Sequence, residues 1–209
     1  MVRITRVHTG VGDKGRTVHL SGENVSKSDT RLEVVGTIDE LNSLVGVTRM
    51  ELTRFPSTTL DGGPRATVLK LQSSIGRKLA LLQQELFDLG AECSTTPDSI
   101  PEGMVVLGVD SADRLLTEMD EWLSEIPPLE SFILPTGNPV VANLHLARAV
   151  CRRCERRLAT LREIDGEDSV REIAFNYLNR LSDWMFVLLR LVTSRLGEDE
   201  ALWTPLGKR

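Results

Sequence analysis

The sequence is poor in aromatic residues, which make up 4% of its 209 positions. Aliphatic side chains must fill most of its core. Helix packing accommodates that better than sheets do, because strands favour aromatic and β-branched residues. Cysteine is also scarce. Three residues, few and odd in number, argue against a disulfide framework and fit a reducing compartment. No stretch reaches the roughly 18 uninterrupted apolar residues of a membrane span. The opening MVRITRVHTG has no apolar run from which a secretory signal is built. An excess of basic charge is missing too. A net charge of −5 counts against a general binder of nucleic acid or anionic membranes, which would be basic. A soluble, cytoplasmic protein with neither of those partners is expected.

What remains is ordinary globular material, 41% hydrophobic and 26% charged, in a length that suits one domain with a sizeable core. Residues 1–36 carry glycines, polar residues and short apolar stretches, and read as a loop with at most a short strand near the start. From Gly36 onward the pattern turns helical. A first helix is expected over Ile38–Arg54, with Thr37 and Glu40 as its capping box. A second, Ala66–Ala91, sets Ile75, Leu79, Leu82, Leu86 and Leu89 on one seam. A third, Ser111–Ile126, uses Ala112, Leu116, Met119, Leu123 and Ile126, and Pro127-Pro128 stops it. A fourth, Val140–Glu163, has the seam Val140, Leu144, Ala147, Cys151, Cys154, Leu158 and Leu161. A fifth, Ser169–Leu196, has Ala174, Tyr177, Leu181, Trp184 and Leu188 on a face wide enough to be buried on more than one side. The fold class expected is all-α: a five-helix bundle over 37–196, an irregular N-terminal loop over 1–36, and a tail over 197–209, all in a single domain.

Three places could carry chemistry. The loop Thr9-Gly10-Val11-Gly12-Asp13-Lys14-Gly15-Arg16-Thr17 lets backbone N–H groups approach an anion and adds cationic donors. It nearly matches a P-loop, but Val18-His19-Leu20-Ser21-Gly22 follows where a P-loop needs a helix. Phosphate binding and a plain surface turn both remain open for it. On the fourth helix, Arg148, Arg152 and Glu155 fall together at one edge of the seam, while Arg153 and Arg157 fall on the outer face and read as solvated. Partly buried arginines need partners, and their planar forks suit phosphate or carboxylate. Asp39, Asn42, Ser43 and Gly46 line one face of the first helix, and Asn179, Asp183 and Arg190 one stripe of the fifth. Such stripes are wet helix faces, a cleft or a subunit interface, and periodicity does not choose among them. Cys151 and Cys154, both in the seam, read as small core residues rather than a metal or redox motif. His145 shares the side of Arg152. No Glu-x-x-His pair exists, which disfavours a di-iron bundle.

Taken together, these pieces resemble the PduO-type ATP:corrinoid adenosyltransferases. The resemblance rests on Gly12-Asp13-Lys14-Gly15 within Thr9–Thr17, on Lys27 and Arg31, and on Gly36-Thr37-Ile38-Asp39-Glu40-Leu41-Asn42-Ser43. It continues in Phe132-Ile133-Leu134-Pro135, in Ala147-Arg148 with Arg152-Arg153-Cys154-Glu155-Arg156, and in Tyr177-Leu178-Asn179-Arg180-Leu181-Ser182-Asp183. All occur in the family's order. Two positions depart from it: Thr136 precedes Gly137 where two glycines are usual, and Cys154 stands where alanine is common. The resemblance implies transfer of the 5′-deoxyadenosyl group of ATP to cob(I)alamin by a homotrimer with active sites between subunits. It implies that Thr9, Gly10, Val11, Gly12, Asp13, Lys14, Gly15, Thr17, Val18 and Lys27 wrap the triphosphate with Mg²⁺, whose ligands are left open. Arg152, Glu155, Arg156 and Asn179 would complete the nucleotide site, and Arg148 would pair with Asp39 of a neighbour. Phe132, Leu134, Asp183 and Phe186 would contact the corrinoid, with Phe132 excluding a lower ligand of cobalt. A reductase and an adenosylcobalamin-dependent enzyme are the further partners it suggests. The competing readings are a non-catalytic bundle that binds ATP or cobalamin as chaperone or sensor, and a P-loop kinase.

Overall fold

Each of the five expected helical segments becomes a helix, and the helices bury their apolar faces against one another. The structure, a computed structural model, describes residue 8 and residues 10–208. The helices are α1 (Thr30–Arg54), α2 (Ala66–Cys93), α3 (Val109–Leu123), α4 (Pro139–Asp165) and α5 (Glu172–Leu196). A small antiparallel hairpin precedes them, β1 (Arg16–Val18) with β2 (Asn24–Ser26), in the register Thr17 opposite Val25. Helix α4 packs along both α1 and α5, α1 along α2, and α3 along α5. One continuous apolar core runs through the bundle. No described helix is long and apolar enough to cross a membrane.

The seams of α2, α4 and α5 are buried at every residue expected of them. Cys151 and Cys154 are among these, fully enclosed, and with Cys93 they are free thiols. Asn138 starts α4, its side chain accepting from the amides of Val140 and Val141, with Pro139 in the first turn. Gly197, at φ 70°, closes α5 in the left-handed conformation, with the Glu198 amide donating to the Thr193 carbonyl.

Two expectations fail. Helix α1 begins at Thr30, not beyond Thr37, so the first 36 residues are not all loop. Asp29 caps it by accepting from the Arg31 amide at 2.8 Å, and Val34 joins Ile38, Leu41 and Val45 in the core. Thr37 is a full turn or more inside the helix, where its hydroxyl donates to the Glu33 carbonyl. Gly36 and Thr37 look like a helix boundary, but the burial of Val34 and Ile38 overrides a weak local preference. In α3 the buried face is Ala112, Leu115, Met119 and Trp122, while Leu116 and Leu123 are exposed. Trp122 packs against Trp184 of α5, with ring centroids 5.2 Å apart and planes tilted by 53°. That large contact turns the helix by about one residue from the seam that leucine spacing alone suggests.

Candidate active site

The polar edge of α4 faces α5. Arg148 lays its guanidinium over the Phe186 ring, 5.2 Å from the centroid. One turn on, Arg152 is exposed and Glu155 half-buried. Burial pushes the Glu155 carboxyl pKa up; Arg152 opposes that and Asp183 adds to it. Ser182, fully buried, donates to the Asn179 carbonyl in the same neighbourhood. Arg156 reaches back to the Arg152 carbonyl. Several enclosed atoms of this edge have no hydrogen-bond partner among the described residues: Arg148 Nε, Glu155 Oε1 and His145 Nε2. Burial and the charge of Arg148 hold the His145 pKa below its usual value. A buried polar atom without a partner is costly, and here three such atoms lie beside the exposed Arg152 and Arg156, so the edge offers both charge and hydrogen-bonding groups.

The N-terminal loop forms a second cradle. Gly10 and Gly15 take positive φ, 71° and 72°, which a side chain would resist. Gly12 is pressed against Lys27, and a Cβ there would sit 2.7 Å from the ammonium nitrogen. Turns close through Asp13 N–H to the Gly10 carbonyl and Gly15 N–H to the Gly12 carbonyl, and the Lys27 amide returns to Gly15. Val11, Asp13 and Lys14 are exposed on this loop, while Thr17 and Val18 lie on β1. Thr9 lies outside the described residues. At the hairpin tip His19 lies 3.5 Å from Asp29, and a pocket between tip and bundle is lined by Arg31, Thr95 and Asp165. About 20 Å of helix separates Asp165 from Arg152 on α4.

The Phe132 ring is 77% exposed. It packs edge-on against Trp203, with centroids 6.1 Å apart. Leu134 follows on the same side of this short extended piece and is also exposed. Gly137, at φ 136°, cannot be replaced cheaply: a Cβ would lie 2.8 Å from Val141 Cγ1. Thr136 is exposed, so its side chain is accommodated outside that close contact. Finally, a groove of about 390 Å³ runs between α1 and α2, lined by Gly36, Asp39, Asn42, Phe87 and Gly90.

With this geometry in view, the comparisons with known proteins agree. The sequence model of the family described as cobalamin adenosyltransferase matches residues 7–192. The chain belongs to the cobalamin adenosyltransferase family. It is 36% identical over 211 residues to a corrinoid adenosyltransferase of Mycobacterium leprae, covering 99% of each chain. It is 34% identical over 192 residues to one of Bacillus subtilis, covering 92% of this chain and 89% of the relative. A solved variant of a PduO-type ATP:corrinoid adenosyltransferase from Lactobacillus reuteri, complexed with cobalamin and ATP, superposes with a TM-score of 0.80. The two are 27% identical, over 96% of this chain and all of that one.

The segments that carry the resemblance to the cobalamin adenosyltransferases lie in three separate places in this chain. Arg148, Arg152, Glu155, Arg156, Asn179, Asp183 and Phe186 come together at the α4–α5 edge. The glycine loop closes on Lys27, the tip of its hairpin shares a pocket with Asp165 at the end of α4, and Phe132 with Leu134 stands against the tail. No salt bridge joins Asp39 to Arg148 within the chain. Asp39 lines the α1–α2 groove, whereas Arg148 stacks on α5. Arg190 leaves the stripe expected to contain it: it is 4% exposed and tied to Glu200. The outer arginines are not simply solvated either, since Arg153 pairs with Glu40 and Arg157 with Glu33 of α1. Sequence reasoning passed over Ser182, although it sits inside a quoted motif, and Trp203, an aromatic in a short tail with no periodicity to mark it. It also gave Arg31 no structural role. That residue is 3% exposed and donates to the carbonyls of Cys93, Thr95 and Ser169, clasping α1 to two loops.

Proposed function

We propose that this protein transfers the 5′-deoxyadenosyl group of ATP to cob(I)alamin, forming adenosylcobalamin and releasing triphosphate. The observation that carries the reading is the α4–α5 edge: the family's arginine helix and its Asn179–Asp183 motif lie side by side, with enclosed polar atoms left unpaired. In the reaction cobalt(I) supplies an electron pair to C5′, a Co–C bond forms, the C5′–O bond breaks, and its electrons leave on triphosphate. Cobalt(I) is nucleophilic enough that the protein need not supply a base. Its work is to hold the reactants in line and stabilise charge on the leaving group. Arg152 and Arg156 supply guanidinium donors, Lys27 and Lys14 ammonium donors, and the glycine loop backbone N–H groups. Phe132, Leu134, Asp183 and Phe186 would meet the corrinoid, whose cobalt carries the reactivity.

No three His, Cys, Asp or Glu side chains among the described residues are grouped to hold a metal. Mg²⁺ bound to the nucleotide would neutralise phosphate charge there. The site is completed between subunits of a homotrimer. The length of α4 between the hairpin and Arg152, the separation of Asp39 from Arg148, and the unpaired edge all support a loop delivered by a neighbour. A reductase would supply the electron that makes cobalt(I), and an adenosylcobalamin-dependent enzyme would receive the product, in the cytoplasm.

The test mixes pure protein, Mg-ATP and reduced cobalamin without oxygen and follows the absorbance spectrum. Appearance of the adenosylcobalamin spectrum is the expected result, and no spectral change overturns the reading. Binding of both ligands without Co–C bond formation would favour the chaperone or sensor instead. Sedimentation tests the trimer separately.

A further inference from the structure

The C-terminal tail lies beyond residue 192, where the match to the family's sequence model ends, and it pairs with the Phe132 segment. Ile133 and Leu202 form an antiparallel bridge. The Trp203 amide donates to the Phe132 carbonyl at 2.7 Å, and the Leu134 amide to the Ala201 carbonyl at 2.7 Å. The Ser131 hydroxyl donates to the Trp203 carbonyl. Both ends of the segment are tied to the same tail. Arg190, buried on α5, donates through Nε to Glu200 at 2.7 Å and through Nη2 to the Pro127 carbonyl at 2.8 Å. Asn138, the cap of α4, donates to Glu198 at 2.6 Å.

All this order holds up a ring that is not buried. Phe132 is 77% exposed and Trp203 41%. An exposed ring on an irregular segment gains little from burial, and left alone it would populate several rotamers. Trp203 meets it edge-on, with the planes at 74°, which is a preferred aromatic arrangement. Bonds on both sides of Ile133 fix the backbone that aims the ring. Fixing an exposed apolar ring makes sense where the ring must present one face to a ligand.

We propose that Trp203 is a positioning residue for Phe132: the tail sets the angle at which this ring meets the corrinoid. The proposal rests on the adenosyl-transfer reading and adds to it a residue beyond the span matched by the family's sequence model. Trp203 acts through Phe132 and takes no part in bond making itself.

The experiment uses the full chain with Trp203→Ala and Trp203→Phe. Trp203→Ala lowers kcat for adenosylcobalamin formation about tenfold, as small misplacements of a positioning group do. KM for ATP stays within about twofold of wild type, because the nucleotide groups are untouched. The melting temperature is unchanged. Bound cob(II)alamin loses the absorption and paramagnetic signature of the four-coordinate form. Trp203→Phe, which restores an edge contact and keeps the backbone bonds, recovers most of kcat and of that signature. NMR of ring-labelled phenylalanine reads the clasp apart from activity, with Phe132 restricted in the wild type and averaged in Trp203→Ala. Wild-type kcat and cobalt spectrum in Trp203→Ala overturn the proposal. So does a Trp203→Phe chain as impaired as Trp203→Ala, or a loss shared equally by melting temperature and ATP affinity. A wild-type chain that binds both substrates, orders the Phe132 ring and makes no adenosylcobalamin overturns the adenosyl-transfer reading, and with it the corrinoid role given to Trp203.

Discussion

Two clusters of charged groups in the bundle are treated in opposite ways. Between α2, α3 and α5, Glu85 and Glu118 are buried and every polar end is answered. Arg114 donates to both carboxylates, Lys78 reaches Glu118 at 2.7 Å, the Tyr177 hydroxyl donates to Glu85 at 2.8 Å and the Trp184 indole to Glu118 at 2.8 Å. At the α4–α5 edge, Arg148 Nε, Glu155 Oε1 and His145 Nε2 are enclosed without partners among the described residues. Low dielectric makes a fully satisfied network specific and rigid, and makes an unsatisfied one expensive. The first cluster therefore serves the fold. The second carries a cost that a ligand or a neighbouring subunit would relieve, and it coincides with the arginine helix that carries the resemblance.

The sharpest way to break this comparison is to damage the satisfied side. Glu118→Ala leaves Lys78, one arm of Arg114 and the Trp184 indole without an acceptor. Removing one partner from a buried charge network costs about 3–5 kcal/mol, which lowers the melting temperature by about 10 °C in a chain of this size. Turnover per folded molecule stays near wild type. Thermal melts and active-site-normalised kcat check both halves, and a chain that melts normally but turns over slowly would reverse the assignment.

The opposite result is expected on the unsatisfied side. Arg152 is exposed in the single chain, so Arg152→Ala folds normally. Its kcat falls about 10²–10³-fold, the usual cost of one donor to developing negative charge. Unchanged kcat would remove the role given to it.

Glu155 sharpens the point, because it stands between the two regimes. Burial raises its pKa in the folded chain. A carboxyl whose folded pKa lies above its unfolded value contributes stability that is fully present below the unfolded pKa and is lost as pH rises through the folded one. Glu155→Gln removes that loss, so the unliganded protein melts no lower than wild type at pH 8, while ATP affinity falls about tenfold, or roughly 1.4 kcal/mol. Calorimetric titration with Mg-ATP and melts across pH 4–8 test the two parts. A lower melting temperature at pH 8 with normal ATP binding would make Glu155 structural.

The smallest effect belongs to buried groups that need no partner. Burial pushes the Cys93 and Cys154 thiols up to about 12, against about 8.5 for a free thiol. Their contribution to stability is intact below about pH 8.5 and fades as pH rises from there towards 12. At pH 8 the folded chain resists alkylation by iodoacetamide and the unfolded chain reacts, as mass spectrometry would show. Rapid labelling of the folded protein would place these cysteines outside the core.

Much of the bundle was legible in the residues themselves. The seams of α2, α4 and α5 repeat at helical spacing and are all buried, and Cys151 and Cys154 follow from lying in one of them. The wheel position of Arg148, Arg152 and Glu155 also carried over, because residues three and four apart share a face wherever the helix packs. Partners were not legible. Nothing near Arg153 or Arg157 announces Glu40 and Glu33, and nothing near Phe132 announces Trp203, because these contacts join segments far apart in the chain.

The amino-acid sequence alone determined that the chain is helical, how many long helices it makes, and which edge of α4 is charged, since periodicity and composition act within one segment. Tertiary structure decided where α1 starts, which face of α3 is buried, and which charges find partners. Each of those is a competition between a local preference of a few tenths of a kcal/mol and the burial of whole side chains against distant helices, and burial is the larger.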